Sequence, residues 1–215
     1  MLSKIVERAY AQFNNRSRHP IPGKHHMNIE DLNESMSADE VIAHLNGESI
    51  YEYRAEKELR MRISEESKQY EGAPSSGWPP IKFNWDLSFE GQRFSLDGMK
   101  ADEFLKYYPN GFLLGHINLQ ELDIKLCHYS RRDEGELWKV GAYDKLARLI
   151  VYLSENRRIS PPLVKPLESG EVIFNGGHHR YAIAKELNIE NIPIHIDPKH
   201  KKKMDSILNI EWKNI

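Results

Sequence analysis

Asn175-Gly176-Gly177-His178-His179-Arg180 concentrates two small residues, two imidazoles and a guanidinium at one joint of this 215-residue chain. Before the joint stands Val172-Ile173-Phe174, an apolar run that predicts a strand. After it, residues 179–187 predict a helix with Ile183 and Leu187 one turn apart. The joint is therefore a strand-to-helix turn. Gly176 and Gly177 can take positive φ and admit a close approach to the backbone. The first-turn amides of a helix have no internal partners, and the helix dipole adds roughly half a positive charge there. Arg180 adds a planar fork that suits phosphate oxygens. Together these residues predict an anion site, with phosphate the expected anion. His178 and His179 titrate near neutrality, so each is a candidate general acid or base. Either can instead donate a hydrogen bond to a phosphate or cap the helix.

Other constellations extend or limit this chemistry. Arg131 and Arg132 are candidate cations for the same pocket, and Glu134 and Glu136 are candidate carboxylates; solvated surface is the alternative reading of all four. Asp133 and these glutamates would suffice for a Mg²⁺ carried by a nucleotide, which needs only one or two carboxylates. Ten histidines raise the question of a resident metal, but there is no H-E-x-x-H and no cysteine pair, so no dedicated metal site is expected. The formal charge of −2 excludes a polybasic coat. Nucleic-acid contact would have to come from a local basic patch, for which Lys199-His200-Lys201-Lys202-Lys203 is the candidate; a solubilising segment is the other reading. Cys127 is the only cysteine, which excludes an intrachain disulfide and fits a reducing compartment. Lys4, Glu7 and Arg8 interrupt the apolar run that a signal peptide needs, and no stretch is long and apolar enough for a membrane span. A cytoplasmic location without membrane contact is the expectation.

The elements that must position this chemistry are legible in part. Residues 2–14 predict a helix, followed by a Pro/Gly/Asn-rich loop. Ser37 with Glu40 predicts a capping box opening a second helix, and the charged residues 50–70 predict a third with a long solvated face. Residues 71–80, Glu-Gly-Ala-Pro-Ser-Ser-Gly-Trp-Pro-Pro, predict a linker. Alternating Phe83, Trp85, Leu87 and Phe89 predict an aromatic hairpin over 81–96. Residues 102–108 predict a short helix, 115–119 a strand, and 143–156 an amphipathic helix with Leu146, Ala147, Ile150 and Leu153 on one face. Two short strands around Glu168-Ser169-Gly170 precede the glycine joint, and a last strand follows Pro193.

The carriers "HINLQEL", the 143–156 helix, "ISPPLVKPL", "EVIFNGGHHRYAIAKEL" and "NIPIHI" together resemble the ParB/sulfiredoxin superfamily over residues 112–198. The resemblance implies an α+β fold, a small mixed sheet with packed helices over 112–215. It would be preceded by a mainly helical N-terminal region, 1–111, whose own role is open, contact with a protein partner included. It implies a nucleotide of the ATP, ADP or CTP class at Gly176, Gly177, His178, His179 and Arg180, with or without Mg²⁺. Sulfiredoxins carry a reactive cysteine where His178 stands, so sulfinic-acid reduction is not expected; the same place implies that His178 faces the reacting phosphate, with His179 acting more on binding or stability. The stretch after Pro198 is too short for the helix-turn-helix domain of partitioning ParB proteins. The function expected from the resemblance is hydrolysis of a nucleoside triphosphate or a nucleic-acid phosphodiester. Phosphotransfer to a small metabolite, as in serine-kinase-like relatives, and a non-catalytic nucleotide- or protein-binding module are the alternatives.

Overall fold

The computed structural model describes residues 36–96 and 98–213. The helix expected over 2–14 and the loop after it lie outside them. The chain divides between Arg62 and Ile63 into two compact units rather than at 111/112. The described part of the first unit holds α1 (Ala38–Leu45) and most of α2 (Ile50–Ser67), which runs across the division. Ser37 and Glu40 form the expected capping box, each side chain accepting from the other residue's amide. Glu40 also pairs with Arg54 at 2.6 Å, and this guanidinium holds its carboxyl down at about 2.

The second unit has mixed α+β architecture. Its elements are β1 (Asn84–Trp85), α3 (Ala101–Tyr107), β2 (Leu113–Asn118), α4 (Leu119–Lys125), α5 (Tyr143–Ser154), β3 (Arg158–Ile159), β4 (Leu163–Pro166), β5 (Val172–Gly176), α6 (His178–Glu186), β6 (Asn191–Ile196), α7 (Lys201–Asp205) and β7 (Glu211–Lys213). Five strands form the main sheet in the order β5-β4-β6-β2-β7. All its neighbours are antiparallel except β4 and β6, which are parallel. β1 and β3 make a separate two-residue parallel pair.

Strand alternation sends successive side chains to opposite faces. On one face Ile117, Val164, Val172, Phe174, Ile192, Ile194 and Ile196 pack against α4, α5 and α6 in the main core. This is why the amphipathic stripe of α5 is buried at Leu146, Ala147, Ile150 and Leu153, whereas Tyr143 at its start stays 57% exposed. The other face carries Leu163 and, beside it in register, His195. Leu163 packs with Phe104 and Phe112, and Phe112 lies 6.0 Å from the His195 ring.

That second face is covered by 89–96, the segment expected to be half of a hairpin. No hairpin forms. After Trp85 the chain takes a 3₁₀ helix over Glu90–Leu96, and only Phe83 and Trp85 stack, at 5.0 Å. The 3₁₀ segment is held by side chains bonding backbone rather than by a strand ladder. The amide of buried Gln92 accepts from Phe112 N at 2.6 Å and donates to Phe112 O at 3.2 Å. Ser160 donates to Gly91 O, and Ser95 donates to Pro161 O at 2.8 Å. A hydroxyl has one proton, so Ser95 Oγ must accept from His195 Nδ1–H, 2.9 Å away. His195 is thereby fixed as the neutral Nδ1–H tautomer. Burial, with the Arg180 charge, lowers its pKa to about 3.

Residues 71–80 are packed, not a linker. Trp78 is buried in the main core, and Trp78 and Trp138 both donate their indole N–H to Ala73 O, at 3.1 and 3.0 Å. Two edge-to-face indoles sharing one carbonyl explain why a Gly/Pro/Ser-rich stretch is ordered here.

Candidate functional site

The glycine joint lies where predicted, between β5 and α6, with Gly177 at φ 98°. Its two glycines serve contacts inside the protein. A Cβ on Gly176 would lie 2.0 Å from Ser95 O, and one on Gly177 would lie 2.7 Å from Pro162. Arg180, expected to face a phosphate, turns the same way. Its guanidinium donates to Ser160 O at 2.5 Å, Pro161 O at 3.1 Å and Phe94 O at 3.2 Å. Carbonyls that end no ladder need donors, and the arginine fork supplies them. Gly176, Gly177 and Arg180 thus fasten the 90–96 segment and the 160–162 turn to the start of α6.

The histidines face elsewhere. Residues 126–132 run beside the β5 edge: Leu126 bridges Val172, Cys127 N donates to Val172 O at 2.9 Å, and Phe174 N donates to Ser130 Oγ at 3.0 Å. This seam brings buried Ser130 to His178, with Oγ 3.3 Å from Nε2, and the His178 ring sits edge-on to Phe174 at 5.4 Å. It also delivers Arg132. A Cβ on Gly141 would lie 3.1 Å from Arg132 Nη2 and 3.5 Å from His179 Nε2, so the Gly141 backbone packs against both groups and brings them together.

The electrostatics around these two groups are one-sided. Arg132 is only 5% exposed, and among the described residues it has no ion-pair partner and no hydrogen bond to its Nε. Three neighbouring carboxylates have other contacts: Asp133 pairs with Arg131 at 2.8 Å, Glu136 accepts from Asp133 N at 2.8 Å, and Asp123 pairs with Lys185 at 2.8 Å. Burial lowers the Arg132 pKa below the usual arginine value. His179 Nε2 is buried and, among the described residues, has no hydrogen-bond partner. Burial first, then the charges of Arg132 and His178, hold His179 below the ordinary histidine range, against a raising contact from the Ala142 backbone. Neutral His179 therefore presents a lone pair beside a desolvated cation.

Arg131, Arg132 and Glu134 also line a cavity of about 840 Å³ that reaches Trp138 and Lys185. Glu136 lies beside Arg132 electrostatically without pairing with it. Among the described residues no group of three or more His, Cys, Asp or Glu side chains is placed to hold a metal ion. Cys127 is buried. In the basic run, Lys199, Lys201 and Lys203 pair with Asp197, Asp205 and Glu168 at 2.6–2.8 Å, which reduces its appeal as a phosphate-backbone contact. No helix among the described residues is long and apolar enough to cross a membrane.

Sequence reading named His178, His179, Arg131 and Arg132 but missed Ser130, Asp123 and Tyr181, which position them. A lone serine, aspartate and tyrosine at separations of several tens of residues carry no spacing signal. Comparison with protein-family models, with curated proteins and with solved structures returned no match.

Proposed function

We propose that Arg132, with His179 beside it, binds a phosphate of a nucleotide or nucleic acid entering from the cavity that Arg132 lines, and that the protein hydrolyses a phosphoanhydride or phosphodiester there. One observation carries the reading: the guanidinium of an arginine only 5% exposed has, among the described residues, no carboxylate partner. Taking a cation out of water costs several kcal/mol unless a counter-charge meets it, so an arginine kept in this state is poised for an incoming anion. The resemblance of residues 112–198 to ParB/sulfiredoxin domains supports a nucleotide as the carrier of that anion.

In this reading Arg132 holds a phosphate oxygen and His179 is the general base. Water attacks phosphorus and its proton passes to His179 Nε2. The bond from phosphorus to the departing phosphate or sugar oxygen breaks as the new P–O bond forms. His178, in contact with Ser130, lies next to the site and would donate a hydrogen bond or return the proton. Glu134 and Glu136 are the carboxylates available to a Mg²⁺ that arrives with a nucleotide.

Binding of sulfate, ADP, ATP and CTP by titration calorimetry, with hydrolysis assays on ATP, CTP and single-stranded and duplex DNA, tests the proposal. Losing a charge-assisted hydrogen bond costs about 1.5–3 kcal/mol, so Arg132→Ala should weaken anion binding by about tenfold or more. Loss of a general base lowers turnover by roughly 10²–10⁴-fold, the effect expected of His179→Ala. Unchanged affinity for every anion in a folded Arg132→Ala protein would sink the reading.

A further inference from the structure

We infer that Tyr181, Asp123 and Lys185 form a positioning device for Arg132, so that the affinity of the anion site is set by three residues that do not reach the anion. The inference rests on the anion-site reading above.

Both polar backbone groups of Arg132 are held from α6. Its N–H donates to the Tyr181 hydroxyl at 3.3 Å, and its carbonyl accepts from Lys185 Nζ at 2.5 Å. Residues 181 and 185 are one helical turn apart, so a single face of α6 grips both ends of one residue. Asp123 on α4 completes the arrangement. It accepts from the Tyr181 hydroxyl and, with both carboxylate oxygens, from Lys185 Nζ at 2.8 Å. The tyrosine is fully buried, with its hydroxyl proton committed to Asp123; burial and that carboxylate push its pKa above the ordinary phenol value.

Two features separate this arrangement from ordinary core bonding. A surface loop could satisfy the N–H and C=O of residue 132 with water, yet here both are met by side chains of the helix that carries His178 and His179. Asp123, the carboxylate of the arrangement, gives both oxygens to Tyr181 and Lys185. Its commitment to Tyr181 and Lys185 fixes the backbone of Arg132 while leaving the guanidinium without a carboxylate. Backbone held at two points fixes where the Arg132 side chain starts and the direction of its Cα–Cβ bond, which aims it toward His179.

Asp123→Asn gives a test with an informative sign. Removing a negative charge near an anion site should strengthen anion binding if electrostatics alone acts. Positioning predicts the opposite, because the amide cannot accept from Tyr181 and Lys185 as the carboxylate does. Sulfate affinity is measured by titration calorimetry for the full chain, Asp123→Asn, Tyr181→Phe, Arg132→Ala and the Tyr181→Phe/Arg132→Ala double variant, with thermal unfolding alongside. The expected result is about tenfold weaker sulfate binding in Asp123→Asn and in Tyr181→Phe. No further loss should appear when Tyr181→Phe is added to Arg132→Ala, since coupled residues are non-additive. Wild-type or tighter binding in Asp123→Asn overturns the inference. So does an equal Tyr181→Phe loss with and without Arg132, which would make the tyrosine a general structural residue. If Tyr181→Phe does not fold, the sign for Asp123→Asn decides alone. Wild-type sulfate binding in Arg132→Ala would instead remove the anion-site reading itself.

Discussion

Arg132 and Arg180 are the same side chain given opposite tasks by their surroundings. Three carbonyls meet the guanidinium of Arg180, while among the described residues no carboxylate meets that of Arg132. From the sequence, Arg180 was the natural phosphate ligand because it stands in the first turn of α6; nothing in a linear pattern announces carbonyls that need donors at residues 94, 160 and 161. The histidines were legible as chemistry, but the resemblance ranked His178 first and the contacts favour His179. His178 is occupied by Ser130, and the unpartnered nitrogen belongs to His179. This has a consequence for pH. The free protein holds His179 below the ordinary value, and an anion beside it will raise that value again. Between those two values binding takes up a proton, and above the raised one His179 stays neutral, as a general base requires. Affinity should strengthen as pH falls through the raised pKa of the complex and level off below the lowered pKa of the free protein. Sulfate is the clean probe, since it does not titrate near neutrality. Calorimetry in buffers of different ionisation enthalpy should show the proton uptake, and a His179→Asn protein should show neither the uptake nor the slope. A flat profile in the wild type would place the anion away from His179.

Among the elements, those with a strong period were readable: α5 from its apolar stripe, the β4–β5 hairpin from its turn, and α1 from its capping box. The 90–96 segment was not, because the aromatic alternation just before it, Phe83 to Phe89, imitates the first strand of a hairpin, while its own hydrogen bonds come from Gln92, Ser95, Ser160 and Arg180. Such side-chain fastening is invisible until those residues are brought together from 66 to 100 positions apart for the Ser95 contacts alone. It also separates stability from binding in a testable way. Arg180→Ala should lower the unfolding temperature by several degrees, as loss of a charged hydrogen bond worth about 1.5–3 kcal/mol requires, and leave sulfate affinity within about twofold. Gly176→Ala should destabilise more severely, since its Cβ would collide with the rigid Ser95 carbonyl. If Arg180→Ala instead left melting unchanged and abolished sulfate binding, the division of labour drawn between the two arginines would be reversed.

At the scale of the whole molecule, the sequence disclosed a mixed α+β body and not its limits. Residues 63–111 looked like part of an appendage because their composition is irregular, yet Trp78, Phe104 and, in the 90–96 segment, Gly91, Gln92 and Ser95 are buried parts of the same unit as the sheet. The last strand was missed for a related reason. β7 is three residues long, Glu211-Trp212-Lys213, too short for alternation to be distinctive. Its partner is β2, joined at Leu114↔Lys213, Gly115↔Trp212 and His116↔Glu211. Beneath that short cover lies Leu-Leu-Gly-His-Ile-Asn, an apolar strand whose outer backbone groups would otherwise stand open. β7 is therefore the molecule's defence against its own kind. Two of its three side chains are charged and outward-lying, a poor template for further strand addition, whereas the bare edge of β2 is a good one. A protein ending at Asn209 should keep its helical signal but self-associate with rising concentration, which sedimentation or light scattering would detect. A truncated protein that stays monodisperse would show that β2 needs no guard.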